Sequence, residues 1–339
     1  MFKVTAYLAA ASLSLAALSA PALADESNKK ELTVYTYDSF VSDWGMGPLV
    51  KPTFEEQCGC TLNLVGMEDA VAMLQRLKLE GASSKADLVL GLDLNLVDDA
   101  KKTGLFASHT VDTSGLNMPI DWQDDTFVPF DYGYFAFVYN TETLPNPPKS
   151  LDELVNAGPE LKVIIQDPRS STPGLGLMLW MKSVYGDQSD AAWTKLSDNI
   201  LTTTKGWSEA YFSLFLAGEA PMVLSYSTSP AYHMAIEGTD KYQAAPFDEG
   251  HYLQVEVAAK LKSSANSELA DEFLNFMVSE GFQKHVPLSN VMYPVNVPAD
   301  MPEAYGKLIT PTKVLQLDTA KINQNRKQWV NDWLGAMTQ

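Results

Sequence analysis

The chain has 339 residues, with 42 acidic against 24 basic side chains and a formal net charge of −18. Such a surface repels nucleic acid and anionic lipid, while tolerating or attracting small cations. The length exceeds one ordinary hydrophobic core and suits two domains.

The first residues set the compartment. Lys3 precedes an uncharged apolar stretch, Leu8 to Ser19, and Ala22-Leu23-Ala24 forms an A-x-A cleavage signal. This pattern predicts a signal peptide over residues 1–24 and an exported chain starting near Asp25. The apolar run is shorter than the about 20 residues a membrane span requires. Beyond it, "LTVYTY" from Leu32 and "TLNLVG" from Thr61 predict strands by alternation, and "PLVKPTFEEQ" between them predicts a helix. Cys58 and Cys60 follow in "EQCGCTL". Export favours their pairing, although the single spacer implies a strained, reducible bridge. No further Cys or His stands near enough in sequence to suggest a metal.

Asp69 stands at a helix N-cap before "AVAMLQRLKLEG", where Gly81 ends the helix, and "ADLVLGL" from Ala86 is a buried strand. This β-α-β-α-β rhythm predicts a mostly parallel sheet flanked by helices. Two long strand-like runs, Phe127–Asn140 and His251–Leu261, are suited to pass between domains. Ser150 and Glu153 form a capping box before a helix. "VIIQD", "PMVLSYS" and the helical "GWSEAYFSLFLAGEA" follow, then "SELADEFLNFMVSEGFQKHV" and a last helix ending in "QWVNDWLGAM". The expected architecture is α/β with two lobes joined by two crossing strands. Lobe 1 comprises residues 25–131 and 255–305; lobe 2 comprises 132–254 and 306–339. A ligand is then expected in the cleft between them, at the carboxyl ends of strands.

Groups for catalysis are sparse. The four histidines, His109, His233, His251 and His285, show no metal-binding spacing, and there is no G-x-S-x-G elbow or phosphate-binding glycine loop. The strand-end loops instead carry aromatics and hydroxyls: Tyr37, Trp44, Trp207, Tyr226, Ser227, Thr228, Ser229 and Tyr232. Any one ring suits core packing; together they suggest a flat, cationic ligand, because aromatic faces attract cations. "DPRSSTPGLG", Asp167 to Gly176, joins a strand to a helix with Pro173 in the first turn. Two readings stay open here: Ser171 or Thr172 only caps the helix, or the hydroxyls and free amides bind an anion with help from Arg169.

The segments "LTVYTYDSF", "DWGMGP", "SKADLVLGLD", "DTFVPFDYGYFAFVYN", "DPRSSTPGLGL", "KGWSEAY", "LSYSTSPAYH", "EGHYLQVEVAA" and "MYPV" run in order through nearly the whole chain. In them the chain resembles the periplasmic thiamine-binding proteins of ABC importers. The resemblance implies a two-lobed type II binding-protein fold in the periplasm. It implies a monomer that closes on thiamine or its phosphates, without cofactor or catalysis, and docks on an inner-membrane permease driven by an ATPase. It implies ligand contacts from Asp69 and Ala70, from Ser171 and Thr172 with a phosphate, from Trp207, from Tyr226 to Ser229 and Tyr232, and from Tyr37 and Trp44. Members of the family carry tryptophan directly before "MYP", where this chain has Val291, which removes a stacking wall. Thiazolium does not titrate, so weak pH dependence of binding near neutrality is expected. The rival expectations are a polyamine, ferric-iron or phosphonate binder on the same fold, and a periplasmic thiamine-phosphate hydrolase.

Overall fold

The computed structural model of the protein describes residues 30–338; the signal peptide expected over residues 1–24 lies outside the described residues. The strands are Glu31–Tyr37 (β1), Thr61–Met67 (β2), Leu88–Asp93 (β3), Val128–Asn140 (β4), Val163–Gln166 (β5), Ile200–Thr204 (β6), Met222–Tyr226 (β7), Tyr242–Ala244 (β8) and His251–Lys260 (β9). Two-residue strands lie at Tyr293–Pro294 (β10) and Val314–Leu315 (β11). The main path runs β2-β1-β3-β9-β4-β7-β5-β6. At one end β1 pairs in parallel with β2 and β3; at the other, β5 pairs in parallel with β6 and β7. Between these parallel wings β4 and β9 run antiparallel. β4 changes partner midway, from β9 through Tyr134 to β7 from Phe135.

Local sequence explains the wings. Every residue of β3 is buried, as a strand covered on both faces requires. Asp69 accepts from the Ala70 amide to open the helix Ala70–Glu80, and Gly81, at φ 56°, closes it. The helix Thr172–Tyr185 is buried from Thr172 to Met181, so it is apolar all round and lies inside the core. There Trp180 packs on Phe137, Phe247 and His251. Gly91, at φ 94°, sits at a register break between β3 and β9. A Cβ there would lie 2.2 Å from the Tyr37 ring, so only glycine lets that ring pass.

Cys58 and Cys60 are disulfide-bonded, as export favours. Other details depart from the sequence reading. The segment "GWSEAYFSLFLAGEA" forms a π-helical turn over Glu209–Phe215 rather than a regular α-helix. The C-terminal helix Thr319–Met337 is not confined to lobe 2. Its Arg326 bonds Asp99 beside β3, while its Trp333 meets Trp193, on the helix between β5 and β6, edge-on at 6.4 Å. Ala304 and Tyr305, expected in lobe 1, pack on Ala231 just after β7. Among the described residues no helix is long and apolar enough to cross a membrane.

Candidate functional site

The carboxyl ends of the parallel strands from both wings face one another. Tyr37 ends β1, Asp69 follows β2 and Asp93 ends β3; Ser171 follows β5, Trp207 follows β6 and Tyr226 ends β7. Between them lies a cleft whose wall includes Tyr37, Asp69, Trp207, Tyr226, Glu256 and Asn290. A second chamber adjoins it, walled by Trp44, Phe212, Tyr232 and His233. Trp207, Ser229, Asn290 and Val291 line both chambers.

The second chamber is aromatic. The Trp207 ring stacks on Tyr211 at 5.1 Å and its indole N–H donates to Ser225 Oγ at 2.8 Å, which fixes its orientation. Trp44 reaches from the opposite wing to within 4.7 Å of Phe212 and 6.4 Å of Trp207, yet keeps 44% of its surface exposed. Three π-helical turns bring residues to this chamber: Glu209–Phe215, His233–Glu237 and Val286–Asn290. Such turns re-aim side chains that a regular helix would point elsewhere. Val291 closes the last of them at φ 56° and ψ 42°, and among the described residues it is the non-glycine with positive φ. A β-branched residue there carries backbone strain.

The first chamber is acidic. Asp69, Asp93, Asp131 and Glu256 are all buried at or behind it. No Lys, Arg or His lines this chamber. Burial pushes Asp93 up to about 7, against hydrogen bonds from Asn95 and with help from the Asp69 charge. Burial pushes Asp131 up to about 8, against hydrogen bonds from Asn290 and Glu256. Glu256 is raised well above the usual carboxylate range by burial, then by the charges of Asp131 and Asp69. Asp69 is raised by burial against hydrogen bonds from Thr172, Ala70 and Ser171. Four carboxyls crowded out of water favour whatever brings them positive charge.

The predicted residues divide accordingly. Tyr37, Asp69, Trp207, Tyr226 and Ser229 line the first chamber; Trp44 and Tyr232 line the second. Ala70, Ser171, Thr172, Ser227 and Thr228 are buried nearby and line neither. The Ser171–Thr172 pair, expected to meet a phosphate, bonds Asp69 in this structure. Ser171 Oγ donates to Asp69 Oδ2 at 2.9 Å and Thr172 Oγ1 to Asp69 Oδ1 at 2.7 Å, so the anion at this helix start is the protein's own. Ser171 sits at the N-cap without a side-chain cap bond, and Arg169 is turned away onto Asp167. Sequence reading missed Asp93, Asp131, Glu256, Asn290 and Phe212. The available signal was a charged residue inside an apolar strand, as in "FVPFDYGYF" and "HYLQVEVAAKL".

A two-winged sheet with two shared strands and a cleft between the wings is the architecture of a solute-binding protein. Residues 83–325 match the family described as bacterial extracellular solute-binding protein, and the chain belongs to that family. It is 56% identical over 311 residues to a thiamine-binding periplasmic protein of Escherichia coli (strain K12), covering 91% of this chain and 94% of that one. It is 54% identical over 309 residues to the thiamine-binding periplasmic protein of Brucella abortus biovar 1 (strain 9-941), covering 91% and 92%. A solved structure of a periplasmic thiamin binding protein superposes with a TM-score of 0.90 at 55% identity, over 92% of this chain and 97% of that one. The fold is therefore the two-lobed type II binding-protein fold.

Proposed function

We propose that the protein is the periplasmic binding component of an ABC importer and that its ligand is thiamine, free or phosphorylated. The observation that carries this reading is the pairing of an acidic chamber without basic side chains and an aromatic chamber beside it. Thiamine brings a fixed thiazolium charge and a flat aminopyrimidine. The acidic chamber, walled by Asp69 and Glu256, suits the charge. Trp44, Trp207, Phe212 and Tyr232 suit a ring, each stacked pair contributing about 0.5–1.5 kcal/mol. The protein's part is binding rather than turnover. Ligand contacts from both wings favour the closed arrangement. The closed monomer then docks on the inner-membrane permease, whose ATPase drives release.

The test is calorimetric titration of refolded, ligand-free protein with thiamine, thiamine monophosphate and thiamine diphosphate. One-to-one binding below about 1 μM, equivalent to about 8 kcal/mol, is expected for at least one of them. Absence of binding by cooperatively folded protein overturns the reading. Because Asp69 occupies the Ser171–Thr172 site, a phosphate gains little there, and thiamine is expected to bind at least as tightly as its diphosphate. The same engagement favours a small polyamine as second reading, since the hydroxyls no longer call for a ligand anion. Spermidine in the same titration separates the two.

A further inference from the structure

The hydrogen bonds around Glu256 cannot all be made by an ionised carboxylate. Tyr37 Oη lies 2.9 Å from Glu256 Oε2 and 2.9 Å from Asn290 Oδ1, and a phenol has one proton for these two acceptors. Asn290 Nδ2 in turn donates to Asp131 Oδ2 at 2.5 Å and to Glu256 Oε2 at 3.1 Å. Both Tyr37 contacts are satisfied when Tyr37 donates to Asn290 and a protonated Glu256 donates to the Tyr37 oxygen. Asp131 is fully buried behind Glu256, and its Oδ1 has no hydrogen-bond partner.

We infer that Asp131 and Glu256 are the seat of the ligand's positive charge, and that the cation enters by displacing a proton the two carboxyls share. This rests on the thiamine reading above. Before binding, the pair carries one negative charge and one proton, held by Glu256 toward Tyr37. When the thiazolium reaches the chamber, that proton leaves to solvent. Tyr37 then turns its own O–H onto Glu256 Oε2, and the cation meets the Glu256 carboxylate with the Asp131 carboxylate behind it. Charge and protons balance: one cation in, one proton out. The other titratable groups facing the pair are Tyr37 on β1, Asp69 after β2, Asp93 on β3, Tyr226 on β7 and Tyr305. All are acids, so none supplies the compensating positive charge. Burial raises Asp131 to about 8, and burial followed by the Asp131 charge raises Glu256 well above the usual carboxylate range.

The expectation of weak pH dependence is thereby reversed: the thiazolium does not titrate, but its seat does. The experiment is calorimetric titration of the full protein with thiamine at pH 7 in buffers of different ionisation enthalpy. Release of about one proton per site is expected, with affinity weakening by up to about tenfold for each unit of pH lowered below the pair's range. Glu256→Gln is expected to abolish the release, flatten the pH dependence and weaken binding by at least about tenfold. Asp131→Asn serves the same purpose should the first variant fail to fold. Thiamine binding by the wild type with no net proton, or with uptake, overturns the exchange and leaves the thiamine reading standing. Release that persists in both variants overturns it as well. Failure to bind thiamine at all defeats the two together.

Discussion

Asp69 acts at three places at once. It accepts from the Ala70 amide of its own helix and from Ser171 and Thr172 across the cleft, and it still lines the acidic chamber. Its N-cap role was legible in the sequence, because an acid before an apolar periodic run is a local pattern. Its partners were not, because they lie more than a hundred positions away. Gly91 is the opposite case: a lone glycine in a strand, uninformative until the Tyr37 ring is seen against it. Gly91→Ala is expected to destabilise the fold by about 2–4 kcal/mol through overpacking and positive φ. It should also weaken thiamine binding, since Tyr37 is displaced. Urea denaturation and calorimetry measure the two effects; unchanged stability contradicts the first. Val291 lines both chambers, so Val291→Trp restores a stacking face. We expect a roughly 2–10-fold tighter Kd for thiamine, matching about 0.5–1.5 kcal/mol per stacked pair, with looser binding as the contrary result.

At the level of elements, the strands and their order along the chain were readable, because alternation and buried runs are local signals. The strands β6 and β8 and the two-residue β10 and β11 were not, being short or polar. The π-helical turns escaped for another reason: their sequences look α-helical, and residues from them line the second chamber. The start of the helix Thr172–Tyr185 is the element where the wings engage. Besides the two side-chain bonds to Asp69, Ser170 O accepts from the Ala72 amide at 3.2 Å. These bonds join the two wings. Thr172→Val keeps the shape and deletes one donor to a buried carboxylate, a loss of about 1–3 kcal/mol. Thiamine affinity, measured by calorimetry, should fall about 5–100-fold. An unchanged Kd would show that the helix start takes no part in closure.

For the whole molecule, the buried acids tie stability to pH. Asp93 and the Asp131–Glu256 pair hold protons in the folded state that an unfolded chain gives up near pH 4. Their contribution is therefore present below about pH 4 and is lost as pH rises through the folded values, about 7 for Asp93 and about 8 for Asp131. Buried His251 and half-buried His285 are lowered by burial and act in the opposite sense, but only below about pH 6.5. Between pH 7 and about 9 the acids stand alone among these, so the Tm of the ligand-free protein should decline across that window. Saturating thiamine should flatten the decline. Scanning calorimetry in both states decides it, and a Tm that rises with pH would contradict the assignment. The overall two-winged plan was legible from the chain because two long strands each outrun one sheet. The strap formed by Arg326 and Trp333 was not, since a terminal amphipathic helix gives no sign of which surfaces it spans. Closure also has an optical consequence. Of the seven tryptophans, Trp44 and Trp207 come from opposite wings and meet across the cleft, with Phe212 against both. Two indoles 6.4 Å apart couple electronically, so the near-ultraviolet dichroism and the emission of the native chain register each opening and closing without any attached dye.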